Sequence, residues 1–209
     1  MGFVATNKGG TFKQVPPGNY VARCYSLIDL GHQVSEKFGT SAHKVRIGWE
    51  ILDTDMDGQS LTIERDGRSL PMTVAAEYTV SLNEKANLRK HLASWRGRDF
   101  TADELKAFDI SKLLGAYCML NVTTSEGKEG KTYANVSGIA PLPKALQASK
   151  PAGVHELQQF DMDRPDMDVF DGLPQYVRDK ITASPDWGKA DKRADALNAA
   201  AEELDDVPF

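Results

Sequence analysis

The chain has 209 residues, of which 41% are hydrophobic, and a formal net charge of −5. This is enough for one domain with a core plus an additional segment, or for two small domains. No apolar run reaches membrane-spanning length and the first residues lack a signal-peptide core, so we expect a cytoplasmic protein with no membrane partner. Cys24 and Cys118 match no metal spacing and no disulfide framework.

Three strands are predicted in the first part of the chain. Residues 19–30 are rich in aromatic and β-branched side chains. Residues 43–52 alternate between apolar and polar side chains, with Lys44, Arg46, Gly48 and Glu50 on the polar side. Residues 68–81 form a third strand after a polar turn.

The pattern then changes from period two to helical spacing. Apolar residues recur at helical positions over residues 82–97. Thr101 and Glu104 have the spacing of a capping box, which predicts that a short helix begins there. Alternation returns at 116–124 and 132–143, which predicts a fourth and a fifth strand.

The order strand, strand, strand, helix, strand, strand is that of an OB-fold, a five-stranded barrel with one helix between strands three and four. We therefore predict an all-β OB-fold domain with one or two short helices at 1–144. The remainder, 145–209, is acidic, broken by prolines and alanine-rich near its end, with too little apolar area to fold alone. We predict a largely disordered, protein-interaction tail there.

Charge is divided unevenly between these two parts. Residues 1–149 carry 18 Lys and Arg against 16 Asp and Glu, a balance of +2, whereas residues 150–209 carry 7 against 14, a balance of −7. A negative net charge argues against a nucleic-acid-binding protein. The mildly basic first part removes that objection, because the asymmetry indicates an acidic tail on a domain with a different function.

Aromatic and cationic side chains interleave on the predicted outward face of the barrel. Single-stranded nucleic acid requires both, since cations follow the phosphates and flat rings stack on unpaired bases. The predicted contacts are Arg23, Tyr25, Lys37, Phe38, Lys44, Arg46, Tyr117, Lys131 and Tyr133. The alternative is a solvated face with some buried tyrosines, because a one-residue slip reverses which side chains face outwards.

The last five residues combine acidic side chains with a terminal Pro-Phe. A terminal phenylalanine offers a ring and an α-carboxylate together, which suits an apolar pocket rimmed by Arg or Lys. We predict a partner-binding tip formed by Asp205, Asp206, Val207, Pro208 and Phe209. The alternative is a disordered acidic end that aids solubility.

Two resemblances follow from these stretches. The sequence "ELDDVPF" resembles the C-terminal tip of bacterial single-stranded DNA-binding proteins. The segments "LRKHLASWRGRDFTADELKAFDISKLLGAYCMLNV" and "YANVSGIAPLPK" resemble bacteriophage-encoded OB-fold single-stranded DNA-binding proteins over most of the predicted barrel.

The resemblance implies a protein that coats single-stranded DNA during phage replication, recombination or repair in the host cytoplasm. It further implies self-association on DNA and a tip that docks onto replication or recombination enzymes. No family motif identifies the DNA contacts on this chain, so the predicted contacts depend on the strand pattern alone.

Two alternatives from other classes stay open. The sequence "DTDMDGQSLTIE" matches the EF-hand calcium loop through Asp53, Asp55, Asp57 and Glu64, but strand-like flanks favour an acidic connector over a calcium-binding or structural module. An RNA-binding OB-fold protein is the second alternative. A protein distinguishes RNA from DNA through contacts to the 2′-hydroxyl, and the geometry of such contacts is not encoded in a residue pattern. No catalytic triad and no phosphate-binding loop is evident, so we expect neither an enzyme nor a cofactor.

Overall fold

The computed structural model describes residues 14–35, 39–55, 57–127 and 131–189. The described residues form eight strands, namely β1 (Gly18–Ser35), β2 (Thr40–Ile51), β3 (Thr62–Arg65), β4 (Arg68–Pro71), β5 (Thr73–Thr79), β6 (Tyr117–Glu126), β7 (Thr132–Pro141) and β8 (Gln158–Phe160). They also form short helices, namely α1 (Asn87–Arg96), α2 (Ala102–Lys106), α3 (Lys144–Gln147), α4 (Met167–Gly172) and α5 (Gln175–Thr182), and a 3₁₀ turn at Ile110–Leu113. The protein is therefore mostly β, as predicted.

The main sheet contains four of the predicted strands and the second half of the predicted strand at 68–81, whose first half is β4 of a separate hairpin. Their order is β5-β2-β1-β6-β7, and every neighbouring pair in this order is antiparallel. Strand β8 adds to β1 in parallel, and β3 and β4 form a separate hairpin. Helix α1 lies in the chain between β5 and β6, which is the predicted position.

The sheet is not closed into the predicted barrel. Among the described residues, β5 pairs only with β2 and β7 only with β6, so these two strands are the edges. Helix α1 packs against both edges and buries Leu88, Leu92 and Trp95 in the core. The Ser94 hydroxyl donates to the Ile139 carbonyl of β7 at 2.5 Å. The gap between β5 and β7 is therefore covered by apolar side chains of α1, and not closed by hydrogen bonds between the two strands.

Strand β2 shows how the alternating pattern builds the core. Val45, Ile47, Trp49 and Ile51 are all buried on the inner face, as their spacing predicts. The Trp49 ring lies 6.0 Å from the ring of Trp95, which joins the sheet to α1. Burial of these side chains is the main favourable term that holds the sheet and the helix together.

A second apolar cluster forms on the outer face of β1. Ile28 and Leu30 are fully buried there against β8, α4 and α5. The other members of the cluster are Phe160, Met162, Phe170, Leu173, Val177 and Ile181. The predicted disorder from residue 145 is wrong for this part, because β1 supplies the apolar surface that the segment lacks alone. Residues 190–209 lie outside the described residues.

Candidate nucleic-acid interface

The predicted contacts on β1 and β2 lie on the outer face of the sheet. A β-bulge at Tyr25 separates the pairs Cys24↔Trp49 and Ser26↔Gly48. Gly48 accommodates this bulge, because a Cβ atom there would lie 3.1 Å from Ser26 Cβ and 3.4 Å from the Tyr25 ring. Residues 150–189, which we call the covering segment, run over this face.

Arg23 does not face solvent, because the covering segment lies over it. Its Nε donates to Glu50 Oε1 at 2.5 Å, and its Nη2 donates to the carbonyl oxygen of His155. Glu50 Oε2 accepts the backbone N–H groups of Val154 and His155 at 3.1 and 2.9 Å. The Arg23 side chain is 14% exposed and that of Glu50 is completely buried.

Tyr25 and Arg46 also face the covering segment. The Tyr25 ring lies 4.9 Å from the His155 ring, and burial raises the pKa of the Tyr25 hydroxyl. Arg46 Nη2 donates to the Tyr176 hydroxyl at 2.9 Å, and its guanidinium lies 5.9 Å from the centre of that ring. Arg23, Tyr25 and Arg46 therefore hold the chain's own C-terminal part instead of forming a free surface.

The covering segment is acidic and is anchored by ionic contacts. It carries 5 Lys and Arg against 8 Asp and Glu, a balance of −3. Asp186 Oδ2 accepts from the backbone N–H of His32 at 2.8 Å and lies 2.7 Å from His32 Nδ1. These contacts lower the pKa of Asp186. Lys180 donates to Glu77 on β5 at 2.5 Å.

The other predicted contacts are divided between separate surfaces. Lys44 is half-buried on β2. Lys131, just before β7, and Tyr133, near its start, are exposed. Tyr117, at the start of β6, is half-buried. Lys37, Phe38 and the tip at 205–209 lie outside the described residues, so their predicted roles stay predictions.

Tyr117 borders a cleft of about 640 Å³ between α1, the 3₁₀ turn and the start of the covering segment. Its hydroxyl donates to the Pro151 carbonyl at 2.7 Å, and Lys150 Nζ lies 4.8 Å from the centre of its ring. Aromatic and cationic side chains line much of this cleft, namely Trp95, Arg96, Phe108, Lys112, Tyr117 and Lys150. None of the described lining residues is acidic.

Arg96 supplies a fixed positive charge on one wall of the cleft. Its guanidinium lies 4.5 Å from the Phe100 ring centre and 5.2 Å from that of Phe108, and it donates to Glu104. Hydrogen bonds from Arg98 and from the Thr101 backbone N–H, with a contribution from Arg96, lower the pKa of Glu104 to about 2. Glu104 is therefore a carboxylate at neutral pH and orients Arg96.

Sequence reasoning missed Arg96, Lys112 and Lys150 as possible contacts. They lie on a helix, a 3₁₀ turn and a loop, which share no period that a pattern could reveal. The prolines at 141, 143 and 151 were the only local signal, because they indicate a turn beside the end of β7.

The candidate calcium loop has ordinary structural roles in the described residues. Asp53 Oδ2 accepts from Val21 N at 2.9 Å, and Asp55 Oδ1 accepts from Asp57 N and Gln59 N at 3.0 and 2.8 Å. Glu64 lies on β3, so strands flank the loop where an EF-hand requires helices. Across the described ranges, no group of three or more His, Cys, Asp or Glu side chains is arranged to hold a metal ion.

No protein-family model matches the chain, and no curated protein matches it. In the described part of the chain, every helix is too short or too polar to cross a membrane.

Proposed function

We propose that the protein binds single-stranded DNA without strong sequence preference in phage replication, recombination or repair. The observation that carries the proposal is the order β5-β2-β1-β6-β7 with α1 between β5 and β6. An OB-fold has this strand order with its helix between the third and fourth strands, and OB-folds commonly bind oligonucleotides. Strand order alone does not define a function, so the chemistry of the surface has to agree with it.

The surface chemistry supports the proposal at two places. Tyr117 lies beside Lys150, and Lys131 and Tyr133 are close in sequence at the exposed start of β7. Rings that stack on bases and cations that neutralise phosphates are the two requirements for binding single strands. The outer face of β1 and β2 is not part of the proposed surface, because the covering segment occupies it.

The acidic tip is proposed to recruit other proteins. Asp205, Asp206 and the terminal Phe209 offer two carboxylates, an α-carboxylate and a ring to a basic, apolar pocket on a replication or recombination enzyme. Cutting the chain after Leu204 should maintain or tighten DNA binding, because it removes charges that compete with phosphates. The same cut should abolish pull-down of replication proteins from host extract. Weaker DNA binding after the cut would contradict this scheme.

Binding of fluorescent oligo-dT, followed by anisotropy over a salt series, tests the main proposal. We expect tight binding at low ionic strength, an affinity that falls as salt rises, and poor competition by duplex DNA of equal length. Absence of binding at low salt, or equal competition by duplex, would refute the proposal. Stronger competition by RNA of the same length would favour the RNA-binding alternative.

A further inference from the structure

We infer that the cleft beside Tyr117 is the site where the protein binds one nucleotide of single-stranded DNA, with the base against the Tyr117 ring and the flanking phosphates at Lys112 and Lys150. This inference rests on the proposed function. It places the DNA beside α1 and the start of β6, at the margin of the sheet face that the covering segment occupies.

The outer face of β1 and β2 is not available to DNA, because the covering segment is bonded to it. Arg23 and Glu50 are joined to Val154 and His155 by hydrogen bonds, and Arg46 is joined to Tyr176. A strand of DNA on this face would have to displace a segment whose apolar side chains are buried in the second cluster. Rings and cations beyond the covered part of that face are therefore the better candidates.

Two hydrogen bonds hold Tyr117 in a fixed orientation. The Trp95 Nε1–H group donates to the Tyr117 carbonyl at 2.9 Å, and the Tyr117 hydroxyl donates to Pro151 O at 2.7 Å. Both ends of the residue are thus fixed before any ligand arrives, which lowers the entropy lost on stacking. Lys150 is exposed and its Nζ lies over the ring, so this side chain can leave the ring and bind a phosphate instead.

The charge and the volume of the cleft also suit a nucleotide. Lys112 and Lys150 are exposed, and Arg96 is fixed by Glu104 and two phenylalanine rings. With no acidic residue among the described lining residues, the cleft attracts anions. Its volume of about 640 Å³ lies within the ~300–1,000 Å³ of small-ligand pockets. An aromatic group that carries a phosphate matches all of these features.

The test separates the ring from its hydroxyl group. Tyr117→Leu removes the ring and Tyr117→Phe removes only the hydrogen bond to Pro151. Tyr176→Leu, which removes an exposed ring from the covering segment, is the control. We expect Tyr117→Leu to bind oligo-dT on the order of tenfold more weakly. Tyr176→Leu should bind like wild type, and Tyr117→Phe should lose less affinity than Tyr117→Leu, because it keeps the ring and loses only the hydrogen bond that fixes it. Circular dichroism melting of each variant checks that it is folded.

Photocrosslinking gives a readout that a purely structural role would not change. An oligonucleotide that contains 5-iododeoxyuridine should crosslink to the peptide that carries Tyr117, and Lys112→Gln with Lys150→Gln should suppress that crosslink. If wild type binds oligo-dT but a folded Tyr117→Leu binds equally well, the inference fails and the proposed function survives. If wild type binds no oligo-dT, the proposed function itself fails.

The chain's own tip is the competing occupant. If the inference is correct, replacing Lys112 and Lys150 with glutamine weakens oligo-dT binding, whether or not the same changes also weaken binding of a peptide of residues 201–209. If the peptide binds wild type and loses affinity with the two lysine changes, while oligo-dT binding is unaffected by them, the cleft belongs to the tip and the inference is overturned.

Discussion

Arg23 and Glu50 form an ion pair between neighbouring strands, with 2.5 Å between Arg23 Nε and Glu50 Oε1. The Glu50 side chain has no exposed surface, and its second oxygen accepts the N–H groups of Val154 and His155. The pattern of β2 placed Glu50 on the polar side of the strand. The structure uses that position to fasten the covering segment to the sheet.

This pair leads to a stability prediction. Glu50→Gln leaves the Arg23 guanidinium buried beside a neutral group, so we expect the free energy of unfolding to fall by about 3–5 kcal/mol. The matched control is Glu77→Gln, which breaks the pair with Lys180. Glu77 is 31% exposed, so its loss should cost less than about 1 kcal/mol. Equal losses in urea denaturation would contradict the buried role of Glu50.

The covering segment should unfold together with the sheet. Ile181 is fully buried against β1, and Ile181→Ala should lower the free energy of unfolding by about 2–5 kcal/mol. Val154→Ala, at a residue that is 51% exposed in the same segment, should change it by no more than about 0.5 kcal/mol. A single urea transition is expected for both variants. An Ile181→Ala protein as stable as wild type would mean that the segment does not pack as described.

Salt dependence tests the proposed phosphate contacts in the cleft. Each phosphate neutralised on a single strand contributes roughly 0.7 to the slope of log affinity against log salt. Replacing Lys112 and Lys150 with glutamine should therefore reduce that slope by about 1.4. Lys85→Gln with Lys90→Gln removes the same charge outside the cleft and should leave the slope unchanged. A slope that falls equally in both double variants would show that only overall charge matters.

The lowered pKa of Glu104 predicts that this residue contributes to the loss of folding stability in acid. Its pKa falls from an ordinary 4.5 to about 2 in the folded protein, so the unfolded chain binds this proton at a higher pH. The stability that Glu104 contributes is therefore complete above about pH 5 and is lost as pH falls from about 4.5 towards 2.

The corresponding experiment is a melting series over that pH range. Glu104→Gln should lower Tm at neutral pH and show a smaller further loss on acidification than wild type. Asp103→Asn, on the same helix but with a side chain that is 90% exposed, should retain the wild-type pH profile. A Glu104→Gln protein with the wild-type acid profile would contradict this prediction.

Short-range features of the fold were predictable. The alternation of Val45, Ile47 and Trp49 identified a strand with one face in the core, and all three are buried. The Thr101–Glu104 capping box is present with both of its hydrogen bonds. These features depend on residues that are near one another in the chain, so local spacing contains the information.

The candidate site was less predictable. Strand spacing correctly assigned Arg23 and Arg46 to the outer side of the sheet, but it could not show what covers that side. Arg23 meets the His155 carbonyl 132 residues along the chain. Lys112 and Lys150 approach Tyr117 only because a turn and a loop meet at the start of β6.

The sequence by itself determined β1, β2, β5, β6 and β7, the helix between β5 and β6, and the separation of a mildly basic part from an acidic one. Only the tertiary structure decided that the sheet stays open beneath α1 and that residues 150–189 pack on its outer face. Periodicity reports which side of a strand is apolar, because neighbouring side chains alternate. Which surface that side buries against depends on contacts between residues far apart in the chain, and no local pattern encodes them.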